Sequence, residues 1–213
     1  MGEKMALSDV YSNLNLFLRW LHVLAGIIWI GHLYFFNFVN VPLQASLDDA
    51  AKKAVNPKLL PRALWWFRWG AMLTLLAGLA LFTLIYMYTP GEGFGPSSAF
   101  TAPEGGLTNR AIWILLGMLL GTIMWFNVWF VIWPIQKAIL SGKVPADQLP
   151  AARKKALLFS RTNSYLSGPM LFFMLAPSHY GTINPVTALV CVALGVAAIG
   201  HFIMLSNKVG QSV

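Results

Sequence analysis

Five stretches of this chain are each long and apolar enough to cross a bilayer, and no Asp or Glu falls inside any of them. A hydrocarbon core takes about 20 apolar residues at a helical rise of about 1.5 Å each. The stretches lie near Leu14–Val39, Ala63–Tyr88, Ala111–Ile135, Leu158–Ser178 and Pro185–Leu205. Only 10% of the residues are charged, against about a quarter in a soluble domain, and 57% are hydrophobic. So few charges cannot cover a water-soluble globule of 213 residues. The composition excludes a cytosolic enzyme, a disordered chain and a disulfide scaffold. The expected fold is an all-α integral membrane protein, one domain over residues 1–213 with five transmembrane helices.

The connections differ in character. Thr89–Asn109 is rich in Gly, Pro and Ser and reads as a loop. Asp48–Lys58 and Pro145–Lys155 mix Ala with charged residues and read as short surface helices. An odd number of spans puts the termini on opposite sides. Lys52, Lys53, Lys58, Arg62, Arg68, Lys137, Lys143, Arg153, Lys154, Lys155, Arg161 and Lys208 fall on one side; Lys4, Arg19 and Arg110 fall on the other. Basic loops stay in the cytoplasm, so the N-terminus is expected outside and the C-terminus inside. The same bias accounts for the net charge of +8 as a topology signal with lipid-headgroup contacts, and calls for no nucleic-acid partner.

The lone cysteine, Cys191, lies in an apolar run and reads as packing; there is no C-x-x-C-H for covalent haem. The first apolar run is too long for a cleavable signal peptide. Most tryptophans fall near span ends, where indole sits well at the interface. Trp125, Trp129 and Trp133 form an i, i+4, i+8 stripe that reads as a packing face.

Chemistry is therefore left to four histidines. An ionisable side chain within a span is costly and points to function. Counting residues from the span ends, His22 and His179 lie at one outer level, and His32 and His201 at a deeper one. Each pair joins two helices. Two facing imidazoles are what a bis-histidine b-type haem requires, with the macrocycle between helices. Small neighbours let backbones approach it: Gly26 is one turn from His22, Gly31 and Gly200 precede His32 and His201, and Gly78 serves on the second helix. Propionates need cations, supplied by Arg19 and Arg110 outside and by Arg62, Arg68 and Arg161 inside. The residues allow two haems, one haem, a non-haem metal, or histidines that only hydrogen-bond between helices. On an ideal helix His22 and His32 point about 80° apart, so the two sites would approach that helix from different directions.

Several segments resemble a known family. Leu18–Phe36 (LRWLHVLAGIIWIGHLYFF), Trp66–Phe82 (WFRWGAMLTLLAGLALF), Trp129–Lys137 (WFVIWPIQK) and above all Ser160–Tyr180 (SRTNSYLSGPMLFFMLAPSHY) resemble the membrane domain of the bacterial membrane-bound urate oxidase (urate hydroxylase) family. The resemblance implies a multi-pass protein of the bacterial inner membrane. It also implies that electrons pass toward cytochrome c, and that His22 and His179 belong to the family pattern. Leu21–Phe35 also looks like the oxygen-independent protoporphyrinogen oxidases, small haem-binding membrane proteins. The expected function is electron transfer by a cytochrome b-like subunit of a larger redox complex. One alternative is oxidation of urate or a porphyrinogen with cytochrome c as acceptor. Another is a membrane anchor or assembly subunit without cofactor.

Overall fold

A computed structural model describes residues 2–211, with side chains from Asp9 onward, so Lys4 lies outside the described side chains. Five helical rods make up the bundle. The first is α1 (Gly2–Tyr34), which passes through a π-helical turn (Phe35–Asn40) into α2 (Val41–Ser46). The second is α3 (Asp49–Tyr86). The third is α4 (Asn109–Phe126), a second π-helical turn (Asn127–Ile132) and α5 (Trp133–Leu140). The last two are α6 (Leu149–His179) and α7 (Pro185–Ser206). Four rods, all but α6, have the length and apolarity to cross a membrane by themselves. The chain is a multi-pass membrane protein in a lipid bilayer.

Helix ends follow local chemistry. Asp48 caps α3 by accepting from the Ala51 N–H at 2.7 Å, Thr108 caps α4 from Ala111 at 3.0 Å, and Asn184 caps α7 from Thr187 at 2.8 Å. The expected surface helix at Asp48–Lys58 is instead the first part of α3, which continues through Pro57 and Pro61 into the span. The expected loop after the second span holds a two-residue hairpin, Tyr88–Thr89 paired with Gly93–Phe94. Gly91 and Gly93 turn it, with φ of 86° and 96°.

Glycines set the closest crossings. A Cβ on Gly70 would stand 3.0 Å from the Trp29 backbone nitrogen, so α1 and α3 meet nearly backbone to backbone. A Cβ on Gly168 would stand 2.5 Å from the Gly195 carbonyl oxygen, so α6 and α7 touch there. The main core gathers Trp29, Leu33, Phe67, Met124, Val128 and Met170 from α1, α3, α4, the second π-turn and α6.

α6 carries a polar face, buried rather than turned to lipid. Asn163 donates to the Met124 carbonyl at 2.9 Å and accepts from Asn127 at 2.8 Å. Ser160 accepts from Asn37 at 2.8 Å, and Ser167 bonds the Tyr34 hydroxyl at 2.9 Å. Asn37 and Asn127 each lie in a π-turn. Near each wide turn a helix carbonyl, Leu33 or Met124, is taken by a side-chain amide. These bonds tie α6 to the first and third rods.

Candidate functional site

The end of the bundle that carries the hairpin holds a cavity of about 700 Å³ between α1, α3, α4 and α6. That volume falls in the range of cofactor and drug-sized ligand sites. From Arg19 to Tyr34 on α1 it spans fifteen residues, about 22 Å along the helix axis. Its walls are mostly aliphatic. Its polar groups gather near the mouth, where Arg19, Arg110, Tyr86 and His179 stand.

His22 is the best-defined group in it. Its Nδ1 lies 2.9 Å from the Thr74 carbonyl oxygen on α3. A carbonyl only accepts, so Nδ1 carries the proton and Nε2 keeps its lone pair. Thr74 is itself fixed, its hydroxyl donating to the Gly70 carbonyl at 2.7 Å. One turn further along α3, Gly78 faces the ring: a Cβ there would stand 3.0 Å from His22 Cε1 and 3.2 Å from Nδ1. Gly26 lines the same wall, where a Cβ would meet Thr74 Cγ2 of α3 at 3.9 Å, an ordinary contact.

His179, the last residue of α6, lines the same cavity and is exposed. The structure thus brings the outer pair of histidines, from two different helices, to one cavity. It does not bring His32 and His201 there. His32 Nδ1 donates to the Ile28 carbonyl of its own helix at 2.7 Å, and His201 is exposed on α7. Gly31, before His32, lines the deep part of the cavity.

Of the five arginines expected near a ligand, two stand at the cavity and three, Arg62, Arg68 and Arg161, stand elsewhere. Arg19 and Arg110 flank the mouth. Arg19 Nε donates to Asn15 at 2.6 Å, and the Arg110 guanidinium lies 5.8 Å from the centroid of the Tyr86 ring. Neither has a carboxylate partner among the described residues. Arg68 instead stacks on Trp133, and Arg161 does not line the cavity. Above the mouth, a polar chamber of about 360 Å³ is bounded by Tyr11, Asn15, Ser97, Ser98 and the same two arginines.

Sequence reasoning missed the Thr74 carbonyl and Tyr86. The signal for the first was the i, i+4 spacing of Thr74 and Gly78, which puts both on the α3 face opposite His22. Among the described residues no three His, Cys, Asp or Glu side chains gather as a metal cluster.

The profile described as "Urate oxidase N-terminal" matches residues 8–94 and 98–212, nearly the whole chain. The chain belongs to the urate oxidase N-terminal family. The match covers all five rods and both histidines at the cavity. No curated protein matched the chain, and no solved structure did.

Proposed function

We propose that this member of the urate oxidase N-terminal family binds one b-type haem between His22 and His179. It would then pass single electrons within the membrane to a redox partner such as cytochrome c. The observation that carries the reading is His22, locked by the Thr74 carbonyl with Nε2 free, facing the cavity that His179 also lines. A backbone acceptor on the far ring nitrogen fixes tautomer and orientation in metal-ligating histidines.

Each group at the cavity has a part to play. His22 and His179 would hold the haem iron through their imidazole nitrogens. Gly78 and Gly26 keep the walls flat beside the His22 ring. Arg19 and Arg110, without a carboxylate partner among the described residues, would bind the propionates at the mouth. The aliphatic walls exclude water and hold the site at low dielectric. Haem supplies reversible one-electron iron chemistry when bound, and these surroundings tune its potential. Because the cavity takes in one histidine pair, the expected stoichiometry is one haem per chain.

The basic ends of the rods support an orientation in the bacterial inner membrane with the hairpin outside and Lys52, Arg153, Lys154 and Lys155 in the cytoplasm. The cavity mouth then opens to the outer aqueous phase.

A second reading has support from the family and from the polar chamber above the mouth. In it, that chamber would take urate against Arg19 and Arg110, and a haem held below would supply one-electron acceptor chemistry. Stopped-flow absorbance separates the two. Reduction of the haem by urate, with cytochrome c reduced in turn, supports the oxidase. Reduction by dithionite alone supports an electron-transfer subunit fed by another protein. A colourless protein from haem-replete cells rejects both and leaves an anchor without cofactor.

A further inference from the structure

Arg68 has no place in the cavity, yet it is held more firmly than a lipid-facing cation needs to be. Its guanidinium carbon lies 3.8 Å from the centroid of the Trp133 ring and 5.8 Å from that of Trp129. Trp129 Nε1 donates to the Arg68 carbonyl at 3.1 Å, and Trp69 meets Trp129 edge-on at 5.4 Å. The expected packing stripe of the third rod does pack on the core, and two of its members, Trp129 and Trp133, also seat a charge. Arg68 Nε is buried without a hydrogen-bond partner. No carboxylate pairs with the guanidinium among the described residues, where the one ion pair is Lys52–Asp49.

The surroundings point to the charge that Arg68 meets. Trp65 and Trp69 remain 46% and 38% exposed beside it, in a position to cover acyl chains. Lys137 stands one turn beyond Trp133 toward the basic end of the bundle and is exposed. Arg68 itself lies six residues beyond Arg62, about 9 Å deeper along α3. A stacked guanidinium has its donors pre-oriented, which favours bidentate binding of a phosphate. An apolar, aromatic rim with a second cation toward the water fits an amphiphile better than a free ion.

We propose that Arg68, Trp133 and Lys137 form a binding site for an anionic phospholipid, its phosphate on Arg68 and its acyl chains along Trp65 and Trp69. This site is separate from the histidine cavity and does not depend on haem.

The test uses the purified full chain in detergent, supplied with phosphatidylglycerol or phosphatidylcholine, with retained lipid counted by native mass spectrometry. Wild type should retain phosphatidylglycerol in preference to phosphatidylcholine. Arg68→Ala should cut that retention about fivefold or more, and Lys137→Ala by a smaller factor. Arg68→Lys should fall between, since it keeps the charge and loses the planar fork. Equal retention of both lipids by wild type overturns the proposal. So does an Arg68→Ala variant that elutes as a monodisperse peak and keeps its phosphatidylglycerol. If Arg68→Ala does not fold, unchanged lipid preference in both Arg68→Lys and Lys137→Ala overturns it. Displacement of the lipid by millimolar inorganic phosphate would assign the site to free phosphate and also overturn it.

Discussion

The imidazole of His22 rests on the bare backbone of Gly78: a methyl group there would stand 3.0 Å from Cε1 and 3.2 Å from Nδ1. With Nδ1 tied to Thr74 one turn away, ring position and tautomer are set by two residues of the facing helix. Gly78→Ala should therefore push the ring off its seat while leaving the apolar exterior of α3 unchanged. The expected outcome is a folded protein with weakened or absent haem absorbance, in the range of 10- to 100-fold loss of affinity that outer-shell changes bring at metal sites. Haem titration of the purified variant measures it.

The histidines divide into two classes. His22→Ala and His179→Ala should each abolish or strongly alter the reduced α-band. His32→Ala and His201→Ala should leave it in place, because neither ring lines the cavity. Reduced-minus-oxidised spectra of membranes carrying each variant check this. Loss of the band in His201→Ala with retention in His22→Ala would reverse the assignment.

Arg19→Gln and Arg110→Gln remove the cations at the mouth without touching either imidazole. With propionates bound there, each variant should bind haem more weakly and shift its midpoint potential downward, as loss of a nearby positive charge favours the oxidised iron. Potentiometric titration reads the shift. An unchanged potential in both variants would place the propionates elsewhere.

The contact between α6 and α7 gives a stability prediction. The Gly168 and Gly195 backbones meet at a distance no side chain can share. Gly168→Ala should cost about 1–3 kcal/mol, the usual range for overpacking, and loosen α7. Asn163→Ala should cost a similar amount, roughly 1–3 kcal/mol, because it strips partners from the Asn127 amide and the Met124 carbonyl in a buried site. Thermal unfolding in one detergent, compared with wild type, measures both.

Much of this architecture could be read in advance from particular residues. Unbroken apolar runs located the rods, and the Gly- and Pro-rich Thr89–Asn109 located the long connection. The match in level between His22 and His179 was legible because helical rise converts residue count into depth. Depth carries no azimuth, however. His32 and His201 also match in level, yet the first bonds within its own helix and the second is exposed on α7.

The π-turns were not legible. The polar contacts made from them are long-range: Asn37 meets Ser160, and Asn127 meets Asn163, across 123 and 36 residues of chain. The fusion of Asp48–Lys58 to the second span was hidden by Pro57 and Pro61, which usually mark helix ends. Arg68 was read as a propionate partner, and the structure seats it on Trp133, since neighbours on other rods decide where a long side chain lies.

The most direct test of the central claim is the pyridine-haemochrome ratio of haem to chain, measured on wild type and His22→Ala purified from haem-replete cells. The account predicts one haem per chain in wild type and none, or a small fraction, in the variant. A wild-type protein without haem, or a His22→Ala protein that keeps its full complement, would contradict it.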